Sequence, residues 1–127
     1  MCRNRPLGHL VDRFWRATIN TWNGLVAATR SEAAFREELV VMAIAVPLSF
    51  VVATGAWHRV VLIAVVLLVL VVELLNTGLE KLADAITTAP DPAIGRIKDM
   101  GSAAVGVALL IAGITWLVAI AERLGIW

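Results

Sequence analysis

The chain has 127 residues, of which 60% are hydrophobic, and its mean hydropathy is +0.85. Soluble domains contain about 45–50% apolar residues, so this excess predicts an integral membrane protein, formed as one domain over residues 1–127. A net charge of +1 and the absence of a basic run argue against nucleic acid as a partner. The single Cys2 excludes an internal disulfide and a multi-cysteine metal site.

The first predicted element is an amphipathic helix over residues 7–30. Apolar residues recur there every three or four positions, which is the spacing of one helix face. The segment is too polar to cross a bilayer, and Trp15 and Trp22 are suited to headgroup depth. We therefore expect a helix that lies in the membrane interface, with packing of the same face on protein as the alternative.

Three segments are long enough to cross the roughly 30 Å of hydrocarbon, which takes about 20 residues in a helix. The predicted transmembrane helices are residues 39–57, 60–79 and 101–121. The turn between the first two is so short that they must be antiparallel neighbours. Together with the helix over 7–30, these segments predict an all-α integral membrane fold.

The connection between the second and third spans is long and polar, and Pro90 and Pro92 end the preceding helix in this prediction. In the third span, small residues recur along one stripe, which allows a close approach of another helix. These residues are Gly101, Ala104, Ala108 and Ala112.

Lysine and arginine predict the orientation, because loops that stay in the cytoplasm carry more of them. Nine lie before the first span or in the second connection: Arg3, Arg5, Arg13, Arg16, Arg30, Arg36, Lys81, Arg96 and Lys98. Only Arg59 and Arg123 lie on the other side. We therefore expect the N-terminus and the second connection in the cytoplasm, and the C-terminus outside.

A polar stripe follows thirteen uninterrupted apolar residues in the second span. Glu73, Glu80 and Asp84 lie within about 20° of one helix line, and Asn76 flanks it. A carboxylate at membrane depth is costly and is functional by default. With the predicted orientation, the stripe descends from the membrane into the cytoplasm.

Two further polar clusters reach the same side of the membrane, residues 31–38 and 95–102. We expect one site to combine Glu32, Arg36, Glu38, Glu73, Asn76, Glu80, Lys98 and Asp99. Carboxylates beside a lysine suit phosphoryl transfer, which needs positioning and charge stabilisation. Carboxylate oxygens also hold Mg²⁺ at phosphates, and a partly desolvated carboxylate can take a proton from a lipid hydroxyl.

The residues alone leave other functions open, because the nucleotide motifs GxxxxGK[ST] and GxGxxG are missing. One alternative is a small transporter in which Glu73 relays a proton or cation. The apolar run over 60–72 argues against a path through the membrane. Another alternative is a structural membrane subunit, which would leave the carboxylates unexplained.

Three segments of the chain resemble signature segments of the prokaryotic diacylglycerol kinases: EAAFREE (32–38), VELLNTGLE (72–80) and KDMGSAAV (98–105). The resemblance extends over residues 13–121 with the same order and the same three spans. It implies transfer of the γ-phosphate of MgATP to diacylglycerol, which gives phosphatidate and ADP. It also implies a homotrimer with an N-terminal surface helix on each subunit and active sites shared between subunits.

The resemblance also implies a role for each matching residue. Glu73 matches the general base, and Glu32 and Glu80 match the metal ligands. The positions that match the ATP site are Arg13, Asn20, Glu32, Asn76, Glu80, Lys98 and Asp99. Besides Glu73, the positions that match the lipid-substrate site are Arg59 and Ser102. The supporting polar residues are Arg36, Glu38 and Asp84.

Two positions depart from a well-studied relative of this family. Asn20 stands where that relative has a tyrosine in contact with ATP, and Glu37 stands where it has glutamine. Some relatives phosphorylate undecaprenol, so this lipid is the alternative acceptor. The long amphipathic helix favours diacylglycerol.

Overall fold

The computed structural model describes residues 7–127, and within that range the chain is helical apart from short connections and residues 124–127. The all-α class is therefore confirmed. Cys2, Arg3 and Arg5 lie outside the described residues. The four helices are α1 (Leu7–Ser31), α2 (Ala33–Val52), α3 (Ala56–Ile86) and α4 (Pro92–Arg123).

The chain divides into two compact units. The first ends at Glu32, and the second begins at Ala33. The described part of the first unit is α1 with Glu32. The predicted helix over 7–30 is confirmed, because α1 extends from Leu7 to Ser31 without a break. Its large apolar side chains are exposed, among them Phe14, Trp15 and Trp22. Its position in the membrane interface stays a prediction.

In the second unit, α3 and α4 are long and apolar enough to cross a membrane, by length and composition. They contain 31 and 32 residues, so each is about 46–48 Å long at about 1.5 Å per residue. Each helix is longer than the predicted span within it. Both helices are also longer than the roughly 30 Å of hydrocarbon in a bilayer.

The prediction of a span over 39–57 has a wrong boundary. Helix α2 ends at Val52, and Trp57 already belongs to α3, which begins at Ala56. Apolar residues continue through the turn, so hydrophobicity alone does not mark the end of α2. The apolar part of α2, residues 39–52, is 14 residues long. Pro47 lies inside α2 and does not end it.

The second connection is also much shorter than predicted, because only residues 87–91 separate α3 from α4. Asp91 caps α4, and its side chain accepts hydrogen bonds from the backbone N–H groups of Ala93 and Ile94 at 2.8 and 3.2 Å. Pro92 occupies the first turn, where a missing N–H costs nothing. The proline that predicted an interruption therefore begins a helix.

Helix α3 is the centre of the second unit, since it packs along both α4 and α2, whereas α2 and α4 touch little. Val69 of α3 and Ala108 and Ala112 of α4 form a buried cluster. The predicted small-residue stripe is confirmed at Gly101 as well, which is buried against α3. Ala104 is exposed, because it lies about 60° around the helix from Gly101.

Candidate active site

Glu73 lies on the packed face of α3. Leu62, Val66, Val69 and Leu70 are buried on this face at the spacing of successive helix turns. Glu73 follows them in the same line and is only 9% exposed. Its carboxylate therefore faces protein, at the point where the apolar run of α3 ends. This is the arrangement that the cost of a charge at membrane depth requires.

Asn76 lies one turn beyond Glu73 and joins two polar elements of the site. Its Nδ2 donates a hydrogen bond of 3.2 Å to Oε1 of Glu80. Its Oδ1 is buried and has no hydrogen-bond partner among residues 7–127. A buried amide oxygen without a partner is costly, so this atom is suited to accept a hydrogen bond or a cation from a ligand.

Gly101 of α4 makes room for the Asn76 amide. A Cβ atom added at Gly101 would overlap Oδ1 of Asn76 and lie 3.0 Å from Cδ2 of Leu79. The glycine therefore allows α4 to approach α3 closely at this level. The sequence predicted Gly101 as part of a packing stripe, and the structure adds its contact with the site.

Glu38 of α2 contributes a second partly buried carboxylate. Its Oε2 is buried and has no hydrogen-bond partner among the residues that the structure describes. Burial raises the pKa of Glu38 from 4.5 to about 7, and the negative charge of Glu73 contributes to this rise. Glu38 immediately precedes the apolar part of α2, so this carboxyl group lies at the polar end of the bundle.

Lys98 and Asp84 connect α4 to α3 by an ion pair with a distance of 2.5 Å between Nζ and Oδ1. The two side chains are 38% and 53% exposed. The sequence predicts Lys98 on the nucleotide side and Asp84 as a supporting residue, and the structure joins them directly. Asp99 is exposed beside Lys98.

Of the remaining predicted residues, Arg59 lies far from this cluster, whereas Ser102 and Arg36 are exposed near it in sequence. Arg59 is in the first turn of α3, about 21 Å along the helix from Glu73. Its guanidinium group stacks over the Phe50 ring at 4.2 Å, and its buried Nε has no hydrogen-bond partner in the described range 7–127. Ser102 is exposed within α4 and does not cap that helix. Arg36 is exposed in the first turns of α2.

The first unit contains three predicted site residues. Glu32 is half-buried and accepts a hydrogen bond of 2.9 Å from the Ser31 hydroxyl. Arg13 lines a cavity of about 250 Å³ together with Leu10, Phe14 and Ala17. Asn20 is exposed. Their roles at a metal or nucleotide stay predictions.

The second unit offers side-chain oxygen atoms that match some of the ligands of a Mg²⁺ site. Over residues 7–127, no three His, Cys, Asp or Glu residues form a group that holds a metal ion. Mg²⁺ needs only one or two carboxylates, because water and substrate phosphates complete its octahedron. Glu80, with the unpartnered amide oxygen of Asn76 beside it, offers ligands of the required type.

The sequence did not predict the cavity at the α3–α4 turn. It has a volume of about 540 Å³ and is lined by residues 87–92, Ile94, Gly95 and Lys98. Small-molecule sites measure about 300–1,000 Å³. The Pro-Asp-Pro sequence of residues 90–92 contains a signal for this turn, because Asp91 is the N-cap of α4.

The family model described as prokaryotic diacylglycerol kinase matches residues 19–120. The chain belongs to the prokaryotic diacylglycerol kinase family. Glu32, Glu73 and Glu80 lie within the matched range, as do Lys98 and Asp99, whereas Arg13 lies before it.

Relatives with the same name match nearly the whole chain. The diacylglycerol kinase of Escherichia coli (strain K12) is 42% identical over 113 residues, which are 89% of this chain and 93% of the relative. That of Pseudomonas aeruginosa is 39% identical over 106 residues, or 84% and 86% of the two chains. That of Haemophilus influenzae is 38% identical over 116 residues, or 91% and 95%.

Proposed function

We propose that this protein is an ATP-dependent diacylglycerol kinase, which transfers the γ-phosphate of ATP to the hydroxyl of diacylglycerol and gives phosphatidate and ADP. The family and its named relatives support this activity. The observation that carries the residue assignment is the burial of Glu73 beside Asn76 and Glu80 at the end of an apolar helix. A lipid hydroxyl and a water-borne phosphate meet at such a boundary.

Glu73 acts as the general base and takes the hydroxyl proton of the lipid. Its position at the end of the apolar run brings it to the depth of a lipid headgroup, and its burial keeps water away from the reacting oxygen. A carboxylate in such surroundings is the type of group that accepts a proton in catalysis. Asn76 and Glu80 lie one and two turns beyond Glu73 on α3, and their mutual hydrogen bond orients both side chains.

In this proposal Glu32 and Glu80, which match the metal ligands of the family, would hold Mg²⁺, and Asn76 would be a further oxygen donor. When bound, this ion supplies positive charge at the phosphate oxygens. Lys98 and Asp99 lie on the nucleotide side, and the cavity at the α3–α4 turn gives a nucleotide access to Lys98. Arg13 and Asn20 of α1 complete the ATP side in this proposal. Lys98 pairs with Asp84 in the free protein. When a nucleotide binds, Lys98 pairs with a phosphate instead, so its positive charge is balanced in both states.

In the membrane, α2, α3 and α4 are the three spans, and α1 lies at the cytoplasmic interface of a bacterial inner membrane. The 14 apolar residues of α2 measure about 21 Å, so α2 requires local thinning of the bilayer or shielding by other helices. A homotrimer supplies such shielding and allows subunits to share active sites. Many large apolar side chains of α3 and α4 are exposed on the single chain, and lipid or a neighbouring subunit would cover them.

A transporter with Glu73 as its relay is less well supported. Val69, Ala108 and Ala112 form a buried apolar cluster directly along α3 from Glu73, with Val65 and Val72 packed against it. A relay needs polar access from both sides of the membrane. Undecaprenol stays an alternative lipid acceptor, although the relatives named above are diacylglycerol kinases.

The test is a phosphorylation assay of the purified protein in lipid micelles with MgATP and diacylglycerol, undecaprenol or no lipid. We expect phosphatidate from diacylglycerol and no product when Mg²⁺ is chelated. Turnover with undecaprenol but not with diacylglycerol would show that the protein is a lipid kinase with undecaprenol as its acceptor. No lipid-dependent ADP release with either acceptor would refute the kinase function.

A further inference from the structure

A second cavity lies between α3 and α4, at the end of these helices opposite the candidate active site. Its volume is about 350 Å³, which is within the roughly 300–1,000 Å³ of small-molecule sites. His58 in the first turn of α3 and Glu122 in the last turn of α4 both line it. His58 lies roughly 22 Å along α3 from Glu73, so this cavity is separate from the kinase site.

The cavity is apolar away from these two residues. Leu62 and Ile114 line it at about 6 Å along α3 and about 12 Å along α4 from the polar end. The hydroxyl of Thr115, also in the wall, donates to the Ile111 carbonyl of its own helix at 2.8 Å. At this depth the Trp116 indole N–H donates to the Leu62 carbonyl at 3.2 Å and joins the two helices. The shape suits a ligand with a polar head and an apolar tail.

The polar end offers one negative charge and one oriented ring. His58 Nδ1 and the Thr54 hydroxyl are hydrogen-bonded at 2.5 Å, which orients the imidazole. When Thr54 donates this bond, the ring proton is on Nε2, which can donate to a phosphate oxygen. Glu122 is exposed and carries the only acidic side chain of residues 53–62 and 114–127. Arg123 follows it, is also exposed and adds positive charge at the same level.

Aromatic residues place this end of the bundle at headgroup depth. Trp57 and Trp127 are exposed there, and tryptophan is enriched where membrane helices meet the lipid headgroups. The carboxylate of Glu122 attracts an ammonium group, and charge-assisted hydrogen bonds are about twice as strong as neutral ones. A primary ammonium has three N–H donors for this contact. A quaternary ammonium has none, and an anionic headgroup is repelled by the carboxylate.

We propose that this cavity binds one phospholipid whose headgroup carries a primary amine. The ammonium pairs with Glu122, the phosphate accepts a hydrogen bond from His58, and one acyl chain lies along Leu62 and Ile114. This lipid is a bound ligand and not the phosphate acceptor. The site uses neither ATP nor Glu73, so binding can be measured without turnover.

Lipid binding to the full-length protein in detergent tests the headgroup. Native mass spectrometry compares phosphatidylethanolamine, phosphatidylcholine and phosphatidylglycerol with identical acyl chains. We expect the Kd of phosphatidylethanolamine to be about 10-fold lower than that of phosphatidylcholine, which is the size of a hydrogen bond to a charged group. Equal binding of these two lipids, or tighter binding of phosphatidylglycerol, overturns the proposal.

Glu122→Gln keeps the size of the side chain and removes its charge. We expect this variant to lose the preference and to bind phosphatidylethanolamine about 10-fold more weakly. Glu37→Gln is the matched control, because Glu37 is an exposed acid at the other end of the bundle, and it should bind as the wild type does. A preference that persists in Glu122→Gln overturns the assignment of the ammonium contact.

Ala119→Leu fills the apolar wall of the cavity. We expect the folded variant, checked by circular dichroism, to lose binding of both phosphatidylethanolamine and phosphatidylcholine. Ala104→Leu on the exposed side of α4 should retain it. Unchanged lipid binding in Ala119→Leu, with or without a change in oligomeric mass, overturns the cavity as the lipid site. If Ala119→Leu does not fold, the comparison of Glu122→Gln with Glu37→Gln decides the proposal.

Discussion

The two halves of α3 use the same helix face for different purposes. From Leu62 to Leu70, the buried face is entirely apolar and packs against small residues of α4. From Glu73 onward, the same face carries a carboxylate, and the turns beyond it carry Asn76 and Glu80. The same helix face therefore forms an apolar packing contact in one half of α3 and a polar site in the other. The contrast shows that one packing face can hold an apolar helix contact at one end and a buried carboxylate at the other.

The largest effect is expected at the first acid of the polar half. Glu73→Gln keeps the size of the side chain and removes the base, so kcat should fall about 10²-fold or more. Nucleotide binding, measured by calorimetry with a nonhydrolysable ATP analogue, should persist. Wild-type turnover in this variant would mean that the two halves of α3 do not differ in function.

The next test concerns the space that α4 leaves for the site. Gly101→Ala places a methyl group on the Asn76 amide, so the amide must move, and we expect kcat to fall about 10- to 100-fold. Gly106→Ala is the matched control, because nothing lies within 4 Å of its added Cβ. Equal activity of the two variants would show that the position of Asn76 is unimportant.

The apolar half should respond in stability and not in chemistry. Ala108 is 3% exposed in the cluster with Val69, so Ala108→Leu should lower the free energy of unfolding by about 1–3 kcal/mol through overpacking. Ala104→Leu on the exposed side of α4 is the control. Unfolding in mixed detergent measures both. A loss of kcat in folded Ala108→Leu would connect this half to the site.

A smaller effect is expected from pH. The pKa of Glu38 is raised from 4.5 to about 7, so the folded state binds this proton more tightly than the unfolded state. The free energy of unfolding should therefore fall as the pH rises from 4.5 to about 7. Glu38→Gln should lose this slope, and Glu37→Gln should keep it. Thermal unfolding at several pH values measures the difference.

The smallest effect is expected at the exposed end of the stripe. Lys98 and Asp84 are 38% and 53% exposed, and exposed ion pairs contribute about 0–1 kcal/mol. Asp84→Asn should therefore change the free energy of unfolding by less than about 1 kcal/mol. A larger loss would place the polar half of α3 among the elements that hold the fold together.

The sequence predicted the type of each element better than its ends. Periodicity identified α1 and the apolar lengths of α3 and α4, because burial and the 3.6-residue repeat act locally. It failed at the end of α2, where apolar residues continue through the turn. It also failed at Pro92, whose effect depends on whether Asp91 caps a helix. Both failures concern backbone hydrogen bonds, which hydrophobicity does not report.

The sequence by itself determined that Glu73, Asn76, Glu80 and Asp84 form one stripe, because helix geometry fixes the angles between residues of the same segment. Tertiary structure alone decided what meets that stripe: Gly101 packs on Asn76, and Lys98 pairs with Asp84. These pairs join separate helices, and their distances depend on how closely and at what height the helices pack. No spacing along one chain segment contains that information.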